Sequence, residues 1–309
     1  MNPLFDPLFD PLIKLNDSKD LVNFIIMTLH EELNEGIKVE DNNNYSPSQE
    51  EEILMYNFFK DNYFKENKSI ICDLFYGING TKYECISCHT KKYNYQIGFF
   101  YIFPLEEVRK FKIQNLQKIY MKNMKNQMDM QVQKEELMPF TNNKEYLMNM
   151  CQPYFINIQN INSVNINDCF DFNQKIEQMC GENSMYCNIC KRQETAYYQS
   201  YIVDSPEIII MILNRGKGIE FKDKLEFPEY LNIKKYIRVN SNNPYNYKIV
   251  GVVTHMGESG ASGHFVAYCR SPIDEKWYNY NDDLCFPVDD FKKKVIDYAM
   301  PYILFYQKI

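Results

Sequence analysis

At 309 residues the chain has room for one large domain or two small ones. Hydrophobic residues make up 45% and aromatic residues 15%, enough for a sizeable core, which excludes a disordered protein. The net charge of −7, with basic residues scattered among acids, argues against nucleic acid as the main partner, and no run approaches the roughly 18 apolar residues of a membrane span.

The opening Met1-Asn2-Pro3-Leu4-Phe5-Asp6 has neither the basic residues nor the apolar stretch of a signal peptide. Ten cysteines in such a chain read as thiols or metal ligands rather than disulfides, as expected of a cytoplasmic and/or nuclear protein. Pro3-Leu-Phe-Asp6 recurs as Pro7-Leu-Phe-Asp10, a tandem repeat without obvious chemistry. Asn16, Asp17 and Ser18 offer helix caps, and Asp20 falls in the first turn, where the helix dipole favours it. Leu21, Val22, Phe24, Ile25, Ile26, Leu29 and Leu33 cover more than one helical face, which predicts a buried helix. A loop from Asp41 through Pro47 leads to a second helix expected over Glu50–Phe59, and residues 70–104 read as strand-rich. From Leu105 to Met150 the composition turns to Lys, Gln, Asn and Met without glycine, which reads as a helical or partly disordered insertion.

Cys85-Ile-Ser-Cys88 and Cys187-Asn-Ile-Cys190 are two Cys-x-x-Cys knuckles set in strand-forming sequence. Two such pairs make a tetrahedral four-thiolate Zn2+ site with no open position, hence a structural one; a redox role would need only one pair. About a hundred residues separate them, so the site must clip two distant hairpins together. Cys72, Cys151, Cys169, Cys180, Cys269 and Cys285 are expected as buried small apolar residues. His89 is expected to face solvent and His30 to lie on the first helix or at its end. Strands resume near Phe155, and Ile208-Ile-Ile-Met-Ile-Leu213 lacks polar alternation, as a central strand covered on both faces should.

Tyr247–Thr254, 264–270, 275–281 and Tyr302–Gln307 complete a sheet rich in Val, Phe, Tyr and Trp. Ser271-Pro272-Ile273-Asp274 reads as a type I turn, with proline pre-setting its second position. A hairpin closed there sets Arg270 opposite Glu275, Tyr268 opposite Trp277, Val266 opposite Asn279 and His264 opposite Asn281. The amide oxygen of Asn281 would then hold the His264 imidazole in one tautomer and leave its other nitrogen as a base. The alternative is a strand-end histidine beside a surface asparagine. Gly257, Gly260 and Gly263 suggest a mobile loop that lets a substrate backbone approach.

Several of these segments together resemble the catalytic domain of the ubiquitin-specific proteases. Asn16 through Leu21 leading to Leu29-His30-Glu31-Glu32-Leu33-Asn34 is similar to the family's thumb helix, and Ser69–Gly77 with the first knuckle to the start of its fingers. Tyr186–Cys190, Pro206–Ile210 and Leu213-Asn214-Arg215 resemble the second finger and central strand. Gly263-His264 and Trp277-x-x-Tyr280-Asn281-Asp282 resemble the histidine box, and Ala299–Tyr306 the last strand. The resemblance implies an α+β, papain-like cysteine protease fold in a single domain over 1–309. A partial thumb would occupy 1–66, zinc-stapled fingers and central strands 67–104 and 155–240, the insertion 105–150, and the palm 241–309. It further implies thiol-dependent hydrolysis of the isopeptide bond at the ubiquitin C-terminus. His264 would be the general base, Asn281 its orienting partner, and Asp282 a neighbouring polar residue on which some members rely instead. Ubiquitin or ubiquitinated proteins would be the partners, without nucleic acid or membrane.

One element of the family pattern has no counterpart. The nucleophile of the family lies in a segment like Gly-Asn-Thr-Cys-Tyr-x-Asn ahead of the thumb helix, with an oxyanion-stabilising residue just before the cysteine. Asn149-Met-Cys151-Gln-Pro-Tyr154 is the nearest string, but it lies in the insertion and lacks the glycine. Cys269, an odd offset from His264, falls on the opposite sheet face. The chain is therefore expected to be inactive by itself, as an N-terminally truncated product. The alternative is a catalytically inactive ubiquitin-binding pseudoprotease or scaffold.

Overall fold

The computed structural model describes residues 18–37, 48, 51–132, 161, 163–215, 223–238, 244–259, 262–297 and 300–309. Three helices come first: α1 (Ser18–Leu33), α2 (Glu52–Glu66) and the short α3 (Ile70–Phe75). The side chain of Ser69 caps α3 by accepting from the backbone amide of Cys72 at 3.0 Å, so the expected strand-rich run opens instead with a helix. α2 runs one turn and more beyond Phe59, until the amide of Asn67 turns back to the Tyr63 carbonyl at 3.0 Å.

β1 (Gly77–Cys85), β2 (Lys91–Gly98) and β3 (Tyr101–Pro104) follow, then the long helix α4 (Leu105–Val132). β4 (Ser163–Asn165), α5 (Ile166–Asn173), β5 (Glu177–Met179), β6 (Met185–Cys187), β7 (Arg192–Glu194), β8 (Ala196–Asp204) and β9 (Ile208–Asn214) lead to the centre of the molecule. β10 (Lys224–Glu226), β11 (Tyr230–Asn232), β12 (Asn246–Ser259), β13 (Ser262–Arg270), β14 (Trp277–Asn281), β15 (Leu284–Val288) and β16 (Pro301–Lys308) complete the chain.

An eight-stranded sheet runs in the order β15-β14-β13-β12-β16-β9-β3, with β11 attached to β12. β9 is buried from Ile209 to Leu213, between antiparallel β16 and parallel β3, as its unbroken apolar run requires. A second sheet, β2-β1-β8-β5, projects from it, and the β6-β7 hairpin stands beside its end. The larger core lies on the face of the main sheet that carries Met211, Val252, Leu304 and Trp277, and is covered by α5 and the first turns of α4. The expected insertion is helical over Leu105–Val132, and its first turn is core, with Leu105 and Val108 fully buried there. The remainder of that stretch, 133–150, and the separate expectations for Cys151 and Phe155 lie outside the described residues.

The opposite face packs on α1 and α3 through Ile26, Ile71, Ile210, Ile212 and Ile303. Here the expectation of a buried helix is corrected. Val22, Ile26 and His30 make a single packed edge of α1, whereas Leu21, Ile25, Leu29 and Leu33 are 39–47% exposed. Among the described residues, the neighbours packed on α1 meet it along the edge of Val22, Ile26 and His30, and its other apolar side chains stay partly exposed. His30 closes the packed edge, its ring nitrogens bonded to Ser69 Oγ at 2.7 Å and Asn67 Oδ1 at 3.2 Å.

Phe170 sits at the heart of the larger core, within 5.6 Å of the Tyr101, Phe103 and Tyr236 rings. Phe170→Ala is expected to destabilise the domain by about 3–5 kcal/mol in chemical denaturation.

Candidate functional site

Two constellations carry chemistry. At the far end of the projecting sheet, Cys85 ends β1 and Cys187 ends β6, and each begins a tight turn. The turns are conformational copies: the amides of His89 and Lys191 return to the carbonyls of Cys85 and Cys187 at 2.9 and 2.8 Å. His89 and Lys191 both sit at φ +58°, a left-handed conformation that non-glycine residues enter only where the structure imposes it. The four thiols converge as a result. Cys88 Sγ is 3.5 Å from Cys187 Sγ, Cys85 Sγ is 4.0 Å from Cys190 Sγ, and all four sulfurs lie within 4.8 Å of one another. A tetrahedral ion with metal–sulfur bonds of about 2.3 Å would space its sulfurs by about 3.8 Å, so the cluster is close to the size a metal ion needs. The Thr90 hydroxyl, 3.2 Å from Cys88 Sγ, draws that thiol down to about 6, while burial pushes Cys85 up and Cys190 up to about 12. Four thiolates this close repel one another, and a cation removes the repulsion. His89 faces solvent.

The second constellation lies on β13 and β14. The turn joining them is two residues longer than expected: Ser271–Lys276 is closed by the Ser271 amide on the Lys276 carbonyl at 2.8 Å, with Glu275 at φ +60°. The ladder therefore pairs Arg270 with Trp277, Tyr268 with Asn279 and Ala267 with Tyr280, and the expected pairings of Arg270 with Glu275, Tyr268 with Trp277 and Val266 with Asn279 are corrected. Asp274 is the physical reason, because its side chain accepts from the Lys276 amide and the Tyr278 hydroxyl and so stabilises the wider loop. Arg270 and Glu275 still meet, as an ion pair at 2.9 Å across that loop.

A shift of two residues keeps every side chain on its expected face. His264 and Asn281 become diagonal rather than direct neighbours, and the length of the imidazole spans the difference: Nε2 donates to Asn281 Oδ1 at 2.6 Å. An amide oxygen can only accept, so Nε2 is the nitrogen that carries the proton in this contact, and in a neutral ring Nδ1 then keeps its lone pair. Asp282 Oδ2 stands 3.7 Å from the same Nε2. Asp282 is the first residue of the two-residue turn between Asn281 and Leu284 and holds φ +49°, a strained setting for an aspartate beside a polar pair.

Among the described residues the polar partners of His264 are Asn281 and Asp282, and no thiol is among them. Cys269 stands on the other face of β13, as its parity requires. Cys72 and Cys169 are buried in helices, and burial pushes the Cys72 thiol up to about 12 and Cys169 higher, far from the thiolate a nucleophile needs. Cys180 and Cys285 are exposed, which corrects their expected burial: one precedes a short 3-10 turn and the other lies on the edge strand β15. His255 on β12, which sequence reasoning did not single out, is buried against the backbone leading to His264. Only its same-face diagonal relation to Gly263 would have marked it.

The sequence matches the family described as ubiquitin carboxyl-terminal hydrolase over residues 5–306. Similar curated proteins include ubiquitin carboxyl-terminal hydrolase 17-like protein B of Mus musculus, 31% identical over 112 residues, covering 35% of this chain and 24% of that protein. Ubiquitin carboxyl-terminal hydrolase 16 of Arabidopsis thaliana is 32% identical over 139 residues, covering 43% of this chain and 13% of that one. The matched segments thus span a quarter or less of these relatives. Among solved structures, the SAGA Ubp8/Sgf11/Sus1/Sgf73 DUB module bound to ubiquitin aldehyde shares the fold with a TM-score of 0.57 at 18% identity, over 95% of this chain and 49% of that one.

The four-thiol geometry has a direct test. Elemental analysis of the purified chain should find about one bound metal ion, reduced at least tenfold by Cys88→Ser or Cys187→Ser; a metal-free wild-type chain with intact stability would contradict it.

Proposed function

The chain belongs to the ubiquitin carboxyl-terminal hydrolase family, with the α+β papain-like architecture of its ubiquitin-specific proteases, and we propose that it acts on ubiquitin joined through its C-terminus to a protein. The observation that carries this reading is the 2.6 Å bond from His264 Nε2 to Asn281 Oδ1. In the proposed reaction His264 Nδ1 takes the proton of an attacking thiol, supplied by the family's cysteine segment, and returns it to the departing amine. It then takes a proton from the water that attacks the resulting thioester and returns it to the released thiol, while Asn281 holds the ring in the productive tautomer. Asp282, whose carboxylate stands 3.7 Å from Nε2, is proposed as the neighbouring polar residue that can share the orienting role with Asn281. Neither step needs a metal. We propose Zn2+ for Cys85, Cys88, Cys187 and Cys190, because four thiolates suit a soft divalent ion and leave no position open for substrate. Its role is structural, fixing the β1–β2 turn against the β6–β7 hairpin.

A second reading is favoured by one observation: no described thiol contacts His264. In that reading the chain binds ubiquitin without cleaving it. The two separate cleanly. Under the first, a ubiquitin bearing a C-terminal electrophile should form a covalent adduct with a protein in which a family-type Gly-Asn-Thr-Cys-Tyr-x-Asn segment precedes this sequence, slowed at least about 100-fold by His264→Ala, a typical share for general acid–base catalysis. Under the second, ubiquitin binds, no adduct forms, and His264→Ala leaves the affinity unchanged. Neither adduct nor binding would overturn both.

A further inference from the structure

The residue before His264 has no room for a side chain. A Cβ placed on Gly263 would lie 2.2 Å from Cε1 and 2.3 Å from Nε2 of His255, and 2.7 Å from the Met256 carbonyl oxygen. β12 and β13 pair Met256 with His264 and His255 with Phe265. His255 therefore stands on the sheet face opposite His264, directly under the backbone that delivers it. We propose that His255 is a positioning residue for His264: its imidazole is the floor on which the Gly263 backbone rests, and that floor sets the angle at which His264 meets Asn281.

The floor is itself braced. The His255 ring lies edge-on to Phe265 with centroids 4.9 Å apart, and Phe265 packs in turn against Tyr302 of β16 at 5.2 Å. β16 pairs with both β12 and β9, so the chain of contacts runs from the buried spine of the sheet to the residue before the base. Sheet position alone does not account for the glycine, since a strand end tolerates most side chains; the imidazole beneath it does. His255 is 9% exposed, and burial lowers its pKa.

The inference rests on the role proposed for His264, but its test does not need turnover. Two-bond proton–nitrogen correlation spectra report the tautomer of His264 in the intact chain. Gly263→Ala should abolish the Nε2–H preference, because the strand must lift off His255 and carries His264 away from Asn281. Adding His255→Ala to that variant should recover at least half of the lost preference by making room for the new methyl; the Met256 carbonyl keeps recovery short of complete. His255→Ala alone, which removes the floor without adding an atom, should lower the Nε2–H fraction while the chain stays folded by circular dichroism. The inference is overturned if Gly263→Ala keeps the wild-type pattern, if the double variant stays where the single one is, or if His255→Ala changes melting temperature alone. A protein carrying that cysteine segment that binds ubiquitin without labelling overturns the catalytic reading alone, and the tautomer comparison reports on His255 in either case.

Discussion

Side chains along a strand alternate faces, and this period of two is the constraint on which the candidate site depends. His264 and Asn281 belong to different strands joined by a loop whose length local chemistry decides. Asp274 widens that loop by two residues, yet both side chains still point to one side of the sheet. A loop one residue longer or shorter would have turned them to opposite faces and broken the pair. The long ladder behind them keeps the faces in step: β9, β16, β12 and β13 pair in succession, and the β12–β13 register runs without a break from Gly251 opposite Cys269 to Met256 opposite His264, shifting only beyond that pair, between Met256 and Ser259.

The projecting sheet solves a different problem. Its outer end lies far from the main core and cannot draw on buried apolar area. The two Cys-x-x-Cys turns meet there instead, with a residue after each in the left-handed region that the turn geometry imposes. Further in, Glu52 at the start of α2 ties the helix to the sheet: it grips Arg238 at 2.9 Å, and the Arg238 guanidinium lies over Tyr201 at 4.2 Å. Close to the core, buried Arg215 bonds the carbonyls of Pro301 and Asp223, fastening both ends of the segment between β9 and β10 to β16. Stability thus passes from apolar burial at the centre to polar and thiol contacts at the periphery.

Much of this was legible in the sequence, for identifiable reasons. The knuckles announced themselves because metal geometry fixes both residue type and spacing. The buried strand β9 was visible because a strand covered on both faces shows no polar alternation. The His264–Asn281 meeting was visible because parity survives an error in loop length. What sequence could not give were quantities set by distant neighbours. α1 is apolar around much of its circumference but, among the described residues, finds cover on one side only. The start of α4 is core because α5 and β4 happen to close over Leu105 and Val108. His255 meets Gly263 through a diagonal contact that only the β12–β13 pairing reveals.

The account turns on an imidazole held through Nε2 with Nδ1 left as the base, and on Asn281 as the group that holds it. The most direct measurement is the nitrogen-15 shifts of His264 in the wild-type chain and in Asn281→Ala, recorded above the titration range. The account predicts a predominantly Nε2–H ring in the wild type that relaxes to a mixture when Asn281 is removed. A ring that is Nδ1–H in the wild type, or unchanged by Asn281→Ala, would contradict it.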